Sequence, residues 1–261
     1  MSAKTTASTA PSPSPLRRAP LRALARAAYA TWSLGLFVVL IALAALLAFV
    51  VPRLEWRRAV TRAIARAWLA LAGLPVRLDG ARSLPAGPCV LVANHASYLD
   101  GIVMQAALPT RFSFVIKREA ASMPVVGLLL RRLGAQFVDR HSPSGRQRDA
   151  RRVVALAEAG RSLVFFPEGT FDARVGLKPF RIGAFVAAAR GGVPVVPAII
   201  HGARRALPAG ALVPRPRRLR VEVLPPVEAG GRSPRDLCEA SRAGILARLG
   251  EPDLAAEDPP A

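Results

Sequence analysis

The stretch "CVLVANHASYLDGIVMQAA", Cys89 to Ala107, changes its pattern within a few residues. Cys89–Ala93 is a short apolar run of the kind that forms a buried β-strand, whereas Gly101–Ala107 shows helical spacing of its apolar residues. A polar turn that contains His95 joins the two, and Asp100 stands at its end. The stretch therefore predicts a strand that leads through a turn into a helix.

Short apolar runs and helical patterns alternate along the rest of the chain. Further strands are predicted at residues 112–116, 135–138, 162–166, 193–200 and 219–224, and further helices at 125–133, 147–159, 181–190 and 233–249. Such alternation predicts an α/β domain, in which helices flank a largely parallel or mixed sheet. Pro194 and Pro197 predict that their strand lies at a sheet edge or begins irregularly.

The N-terminal part of the chain has a different composition. Residues 1–26 are small, polar, proline-rich and basic, which predicts a disordered tail. Thr31–Val51 is almost wholly apolar and long enough for a membrane helix, and a cleaved signal peptide would have a shorter apolar core. A second apolar stretch, residues 59–76, carries Arg62 and Arg66 one turn apart and resembles an interfacial helix with a basic face.

These patterns divide the chain into three parts. We expect a tail at residues 1–26, a membrane helix or helical hairpin at residues 27–75, and the α/β domain at residues 76–261. Basic residues stand on both sides of the apolar segment, so charge alone leaves open whether it spans the bilayer or dips into one leaflet.

The charge balance restricts the possible partners. With 261 residues and a formal net charge of +20, the chain is expected to meet an anionic partner: nucleic acid, anionic lipid or a phosphorylated substrate. Aromatic residues make up only 6%, and no helix that would read DNA bases is recognisable, so we expect no nucleic acid as a partner. A basic membrane-anchored binding protein is the more distant alternative to an enzyme. Cys89 and Cys238 match no metal-ligand spacing, which predicts free thiols, a reducing compartment and no metal site.

His95 and Asp100 are the first candidates for chemistry. His95 follows a predicted strand at its carboxyl end, where α/β sheets form ligand crevices. Asp100 is five residues further on and does not share a helical face with His95, but a turn can fold the carboxylate back onto the ring. A carboxylate on Nδ1 fixes the tautomer and leaves Nε2 as a base. A spacing of this kind also occurs by chance, and a polar turn without chemistry is the competing interpretation.

Four blocks in order resemble the glycerolipid acyltransferases, the 1-acyl-glycerol-3-phosphate acyltransferase superfamily. "NHASYLD" is similar to their Asn-His-x₄-Asp motif, and "QFVDR" (residues 136–140) to a second block that ends in arginine. "VFFPEGTF" (164–171) resembles a Phe-Pro-Glu-Gly-Thr block, and "VPVVPAII" (193–200) a proline-punctuated strand. The resemblance covers about residues 76–224.

This resemblance implies transfer of a fatty acyl group from a thioester to the free hydroxyl of a lysophospholipid, with lysophosphatidic acid as the expected acceptor. His95 would be the base and Asp100 its orienting partner, while substrate binding is carried over to residues Lys117, Arg140, Glu168, Gly169, Thr170 and Lys178. The donor would be acyl-coenzyme A or acyl carrier protein, with no further cofactor. Ser97 beside His95 leaves a covalent route open, although capping of the next helix is the simpler role.

One position departs from the family pattern. Many members carry an arginine after the threonine of the third block, where this chain has Phe171. Arg174, Lys178 or Arg181 would then supply the charge, and an acceptor such as a lyso-ornithine lipid is an alternative to lysophosphatidic acid. A scaffold with a degenerate site is disfavoured, because the motif residues are present.

We expect anionic lipids as partners and the bacterial inner membrane as location, with the α/β domain on the cytoplasmic side. His141 and His201 are interpreted as loop residues.

Overall fold

The computed structural model describes residues 15–139 and 143–255, which fold into one sheet with helices on both faces. The strands are β1 Val76–Asp79, β2 Val90–Ala93, β3 Ser113–Lys117, β4 Gln136–Val138, β5 Leu163–Phe165, β6 Val195–His201 and β7 Leu219–Val223. The helices are α1 Pro15–Val50, α2 Leu54–Leu71, α3 Leu99–Ala107, α4 Val126–Arg132, α5 Pro143–Glu158, α6 Gly183–Gly191, α7 Ala203–Ala206 and α8 Pro234–Leu249. The predicted α/β class is confirmed, and β1 is added to the predicted strands.

The sheet has the strand order β1-β7-β6-β2-β5-β3-β4. All neighbouring strands are parallel except β6 and β7, which pair antiparallel. Strands β2 to β6 therefore end at one border of the sheet, which we call the carboxyl edge, and begin at the opposite amino edge. Because β7 and β1 run the other way, they begin at the carboxyl edge.

Strand β6 corrects one prediction. It lies in the interior of the sheet between β2 and β7, not at its border. Pro194 precedes the strand, and Pro197 keeps its carbonyl in the ladder by accepting a hydrogen bond from the Leu224 N–H (2.9 Å). Proline has no backbone N–H to donate, but Pro197 directly precedes Ala198, the first residue of β6 that pairs with β7. The interior strand therefore tolerates proline at this position.

Strand β2 is buried on both faces, as its continuous apolar sequence predicts. Leu91 and Ala93 pack into the core under α2 and α3, whereas Val90 and Val92 pack against α6 and α8 on the other face. This two-sided packing fixes the end of β2, and hence the starting point of the turn that carries His95.

Helices α1 and α2 form a hairpin that is docked on the domain. The Tyr29 hydroxyl donates to the carbonyl of Ala72 (2.9 Å), the rings of Phe37 and Trp68 meet edge to face, and Arg132 donates to the carbonyls of Ala48 and Phe49. The other side of α1 exposes large apolar side chains, among them Leu34, Val38, Val39, Leu46, Phe49 and Val50. In the described part of the chain, α1 supplies the one helix long and apolar enough to cross a membrane (Leu21–Val50).

The arginines of α2 do not form the lipid-facing basic surface suggested by the sequence. Arg58 is buried and donates to the carbonyls of Leu133, Thr110 and Arg111 and to the Ser113 hydroxyl, while Arg62 and Arg66 donate to carbonyls at the end of α3. Cations placed at the carboxyl end of a helix stabilise it. Their role is therefore to hold α2 to the domain.

The predicted tail lies only partly within the structure. Residues 1–14 lie outside the described residues, and residues 15–26 belong to α1, so this helix begins further toward the N-terminus than the composition predicts.

Candidate active site

His95 and Asp100 meet in the turn between β2 and α3. The Nδ1 atom of His95 lies 2.9 Å from Oδ2 of Asp100, and the same oxygen accepts hydrogen bonds from the N–H groups of Ala96 (2.6 Å) and Ser97 (2.8 Å). Asp100 is fully buried, whereas the His95 side chain is 20% exposed. Within the described residues Nε2 of His95 has no hydrogen bond, so the ring presents this nitrogen as its available base.

Asn94 holds the end of β2 in place. Its side-chain oxygen accepts from the Ile200 N–H (2.7 Å), and its amide donates to the Ile200 carbonyl (3.4 Å). This pair continues the contact between β2 and β6 beyond the last paired residues, Ala93 and Ala198. The asparagine of the motif thus fixes the backbone directly before His95, a role that the sequence interpretation did not assign.

Ser97 is occupied by structural hydrogen bonds. It is fully buried, donates to the Leu207 carbonyl (2.8 Å) and accepts from the Leu99 N–H (3.1 Å) at the start of α3. A hydroxyl bound on both sides in this way does not approach a substrate as a nucleophile. The geometry agrees with the capping role and leaves direct attack by the substrate hydroxyl as the simpler chemistry.

Both carboxylate oxygens of Glu168 accept hydrogen bonds from the backbone. The residue is only 5% exposed, its Oε1 accepts from the His95 N–H (2.5 Å), and its Oε2 accepts from the Lys178 N–H (3.0 Å). Burial raises the pKa of this carboxyl to about 7, against the effect of the two backbone hydrogen bonds. The structure thus gives Glu168 a contact with the backbone of His95, whereas its contact with the acceptor stays a prediction.

Aromatic side chains surround the His95 ring. Phe166 stacks on it with centroids 4.6 Å apart, and Phe171 meets it edge on at 4.7 Å. Tyr98, which is exposed, packs edge on against Phe171 at 4.8 Å. The phenylalanine that departs from the family pattern is thus a wall of the site, and it gives the imidazole an apolar surrounding.

The segment after Phe171 brings charged groups close to Glu168. Lys178 lies 2.9 Å from Asp172, which Arg174 also contacts. The hydrogen bond from Lys178 is the largest cause that holds the pKa of Asp172 well below its ordinary value. Asp172 was not predicted as a site residue, although its spacing of two residues from Arg174 and six from Lys178 is visible in the sequence.

The remaining candidates are more scattered. Gly169 has a φ of +81°, which favours glycine, and Thr170 beside it is exposed. Lys117 is exposed at the end of β3, which β5 separates from β2, so it lies two strand spacings, roughly 10 Å, from the line of β2. Arg181 is exposed, and its N–H donates to the Pro167 carbonyl.

Of the two histidines interpreted as loop residues, His201 ends strand β6 and pairs with Glu222 at 3.0 Å. Arg248 of α8 contacts the same carboxylate, so this pair stabilises the packing of α8. Arg140 and His141 lie outside the described residues.

The fold and the site together define a class. An α/β sheet carries a histidine and a buried carboxylate at its carboxyl edge, with the neighbouring hydroxyl engaged elsewhere. Such an arrangement activates a hydroxyl supplied by the substrate, as in group-transfer enzymes that use a general base.

Comparisons with known proteins specify this class. Residues 75–201 match the family model described as Acyltransferase. The chloroplastic 1-acyl-sn-glycerol-3-phosphate acyltransferase of Brassica napus is 34% identical over 162 residues, which are 60% of this chain and 47% of that protein. The 1-acyl-sn-glycerol-3-phosphate acyltransferase of Neisseria gonorrhoeae is 34% identical over 129 residues, 49% of this chain and 50% of that protein.

A solved structure shares the fold. The 1-acyl-sn-glycerophosphate acyltransferase of Thermotoga maritima aligns with a TM-score of 0.71 and 21% identity, over 86% of this chain and 96% of that one. The chain spans about half the length of the first curated relatives that it matches. The family match and these relatives make residues 75–201 similar to the acyltransferases of the glycerolipid acyltransferase superfamily.

Proposed function

We propose that the protein transfers a fatty acyl group from a thioester donor to the free hydroxyl of lysophosphatidic acid, which yields phosphatidic acid. The observation that carries this proposal is the contact of 2.9 Å between His95 and Asp100, with Nε2 of the ring available at the carboxyl edge. Relatives named for this reaction match the part of the chain that contains the pair.

In the proposed reaction, Nε2 of His95 takes the proton of the acceptor hydroxyl as its oxygen attacks the thioester carbonyl. Asp100 stabilises the imidazolium that forms, because its Oδ2 is fixed by two backbone N–H groups. The new C–O bond forms, the C–S bond breaks, and the imidazolium returns the proton to the departing thiolate. No covalent enzyme intermediate is required, which agrees with the engaged hydroxyl of Ser97.

The acceptor phosphate needs fixed cations. We assign this role to Arg140 and Lys178, with Gly169 and Thr170 in the adjoining turn. Lys178 is held near the site from two sides, because its N–H donates to Glu168 and its Nζ contacts Asp172. Lys117, exposed at the end of β3, is placed to meet the phosphates of an acyl-coenzyme A or acyl carrier protein donor.

For the membrane contact we propose insertion of α1 into one leaflet. The domain packs along α1 from Tyr29 to Phe49, so a perpendicular crossing would carry polar domain surface into the hydrocarbon. A helix that lies along the surface buries its exposed apolar side without this cost. We assign the protein to the bacterial inner membrane with the domain on the cytoplasmic side, where free thiols at Cys89 and Cys238 fit a reducing compartment.

A second acceptor class is favoured by one observation. Phe171 fills the position of the usual family arginine and packs on His95, and Lys178 is partly neutralised by Asp172. A zwitterionic acceptor such as a lyso-ornithine lipid needs less positive charge at this point. Turnover of the two acceptors by one enzyme preparation at equal surface concentration distinguishes the two classes.

The test of the reaction itself compares two histidines. His95→Ala is expected to lower kcat for phosphatidic acid formation by roughly 10²–10⁴-fold, because the general base is removed. His201→Ala is the matched control, since the His201 side chain is 22% exposed and pairs with Glu222 of β7 at 3.0 Å instead of with Asp100. Equal turnover in the His95 variant and the control would refute the proposed base.

A further inference from the structure

A cleft opens at the amino edge of the sheet, on the opposite side from His95. It has a volume of about 700 Å³ and is bounded by the start of α2 and by the segments that lead into β2, β3 and β5. Four arginines line it, Arg53, Arg58, Arg111 and Arg161, with Glu55 as the acidic residue of the lining. The size is that of a pocket for a small molecule.

The arginines of this cleft are held without carboxylate partners. The guanidinium of the buried Arg58 is bound to backbone carbonyls and to the Ser113 hydroxyl, and that of Arg111 to the carbonyls of residues 85–87. Among the described residues, none of the four forms an ion pair within 4 Å. No carboxylate therefore pairs with these four groups at short range, Glu55 acts on Arg58 only from further away, and a bound anion would stabilise the remaining positive charge.

The charges also repel one another within the cleft. Burial and the charge of Arg161 lower the pKa of Arg58 to about 10. A protein that keeps a charged guanidinium in such a place gains stability when an anion enters, because attraction between charges is stronger in a partly buried site than in water.

The position of the cleft indicates a source for the anion. It adjoins the turn between α1 and α2, beside the exposed apolar residues Phe49, Val50 and Trp56. Arg53 lies over the Trp56 ring (5.6 Å to its centroid), and tryptophan is a residue type enriched at the headgroup level of a bilayer. This position favours the phosphate of a lipid headgroup as the anion.

We propose that this cleft binds a phosphate-bearing anion, the headgroup of an anionic phospholipid, at a site separate from the proposed active site. Arg53 and Arg161 are exposed and would contact the phosphate, whereas Arg58 and Arg111 supply fixed charge behind it. The same chemistry would accept a soluble phosphate compound, so the two sources must be separated by experiment.

The test measures binding to the full chain in detergent micelles by calorimetry, with dihexanoyl phosphatidylglycerol and inorganic phosphate as separate probes. The double variant Arg53→Gln/Arg161→Gln removes two charges from the cleft without removing a described hydrogen bond. Arg190→Gln/Arg232→Gln, at two exposed arginines elsewhere, is the control of equal charge loss. A charge at a lipid surface corresponds to about fivefold in affinity, so the cleft variant is expected to bind the lipid roughly 25-fold more weakly than wild type, and the control within about twofold.

Each outcome decides the proposal. A lipid affinity that falls in the cleft variant alone, with weak binding of inorganic phosphate, supports a headgroup site. Inorganic phosphate that binds as tightly as the lipid, with the same dependence on the two arginines, supports the site with a soluble phosphate compound as its ligand. Equal losses in both variants, or no loss in either, would overturn it. The measurement involves no turnover, so it is independent of the proposed acyl transfer.

Discussion

Replacing Glu168 by glutamine tests how the site is held together. Both carboxylate oxygens of Glu168 accept backbone N–H groups, from His95 at 2.5 Å and from Lys178 at 3.0 Å. A glutamine offers one acceptor and one donor, so one of these buried N–H groups would face another donor. A buried donor left without a partner costs about 1–3 kcal/mol. For a chain of this size, that cost corresponds to a fall in Tm of roughly 2–12 °C.

The same variant has a defined pH dependence. Because burial raises the pKa of Glu168 to about 7 in the folded protein, folding favours its protonated form. The native protein therefore binds more protons than the unfolded chain between the ordinary value of 4.5 and about 7, and this contribution to stability is lost as pH rises through that window. Glutamine does not titrate. The destabilisation of Glu168→Gln relative to wild type is thus expected to be larger at pH 5 than at pH 8, by up to about 3 kcal/mol.

The assay combines unfolding with kinetics. Thermal unfolding in detergent at pH 5 and pH 8 measures stability, and product formation measures kcat and KM. A shift of the His95 backbone is expected to lower kcat by up to about 10²-fold with little change in KM. Glu158→Gln, the same change at an exposed glutamate, is the control. A variant at Glu168 with wild-type Tm at both pH values and only a raised KM for the acceptor would show that Glu168 contacts substrate, and would refute this reasoning.

Three further variants test single contacts. Asp100→Asn replaces an oxygen that accepts three hydrogen bonds and is expected to lower kcat by roughly 10²–10⁴-fold; a rate like that of wild type would separate Asp100 from the chemistry. Ser97→Ala is expected to keep kcat within about twofold and to lose about 1–2 kcal/mol in unfolding free energy, because its hydroxyl only makes structural hydrogen bonds; an acyl-enzyme trapped in wild type but not in this variant would instead establish a covalent route. Lys178→Gln is expected to raise the KM for lysophosphatidic acid several-fold while kcat stays nearly constant, as for a binding group; an unchanged KM would mean that Lys178 serves only to pair with Asp172.

Much of the fold follows from local sequence patterns. The apolar runs predict β2 to β6 to within a few residues, because buried parallel strands are continuously apolar, and the alternation of apolar and charged residues predicts β7. Strand β1, with the sequence "VRLD", alternates apolar and charged residues over only four positions, too few for a pattern to stand out. The order of the strands, which puts β6 in the interior, depends on pairing between distant segments that no local pattern contains.

The site divides in the same way. The pairing of His95 with Asp100 involves residues five apart, so a turn and a motif are enough to predict it. The role of Glu168 depends on an N–H group 73 positions away, and the residue type alone suggested a substrate contact instead. Likewise, the spacing of Arg62 and Arg66 in the sequence indicates a basic surface that faces lipid. In the structure both guanidinium groups donate to carbonyls of α3 instead. The sequence pattern does not predict these bonds, because it does not show that α3 packs beside α2.

The reversed direction of β7 and β1 has a consequence for how a lipid substrate would reach the proposed active site. Because β1 begins at the carboxyl edge, α2 ends there too, and α1 runs past it through Tyr29 toward its exposed N-terminal turns. The N-terminal end of the anchoring helix and the His95 imidazole are thus found at one border of the molecule. We expect a lysolipid to arrive by sideways diffusion within the leaflet, as a search in two dimensions, and the product to remain among its neighbours without passing through water.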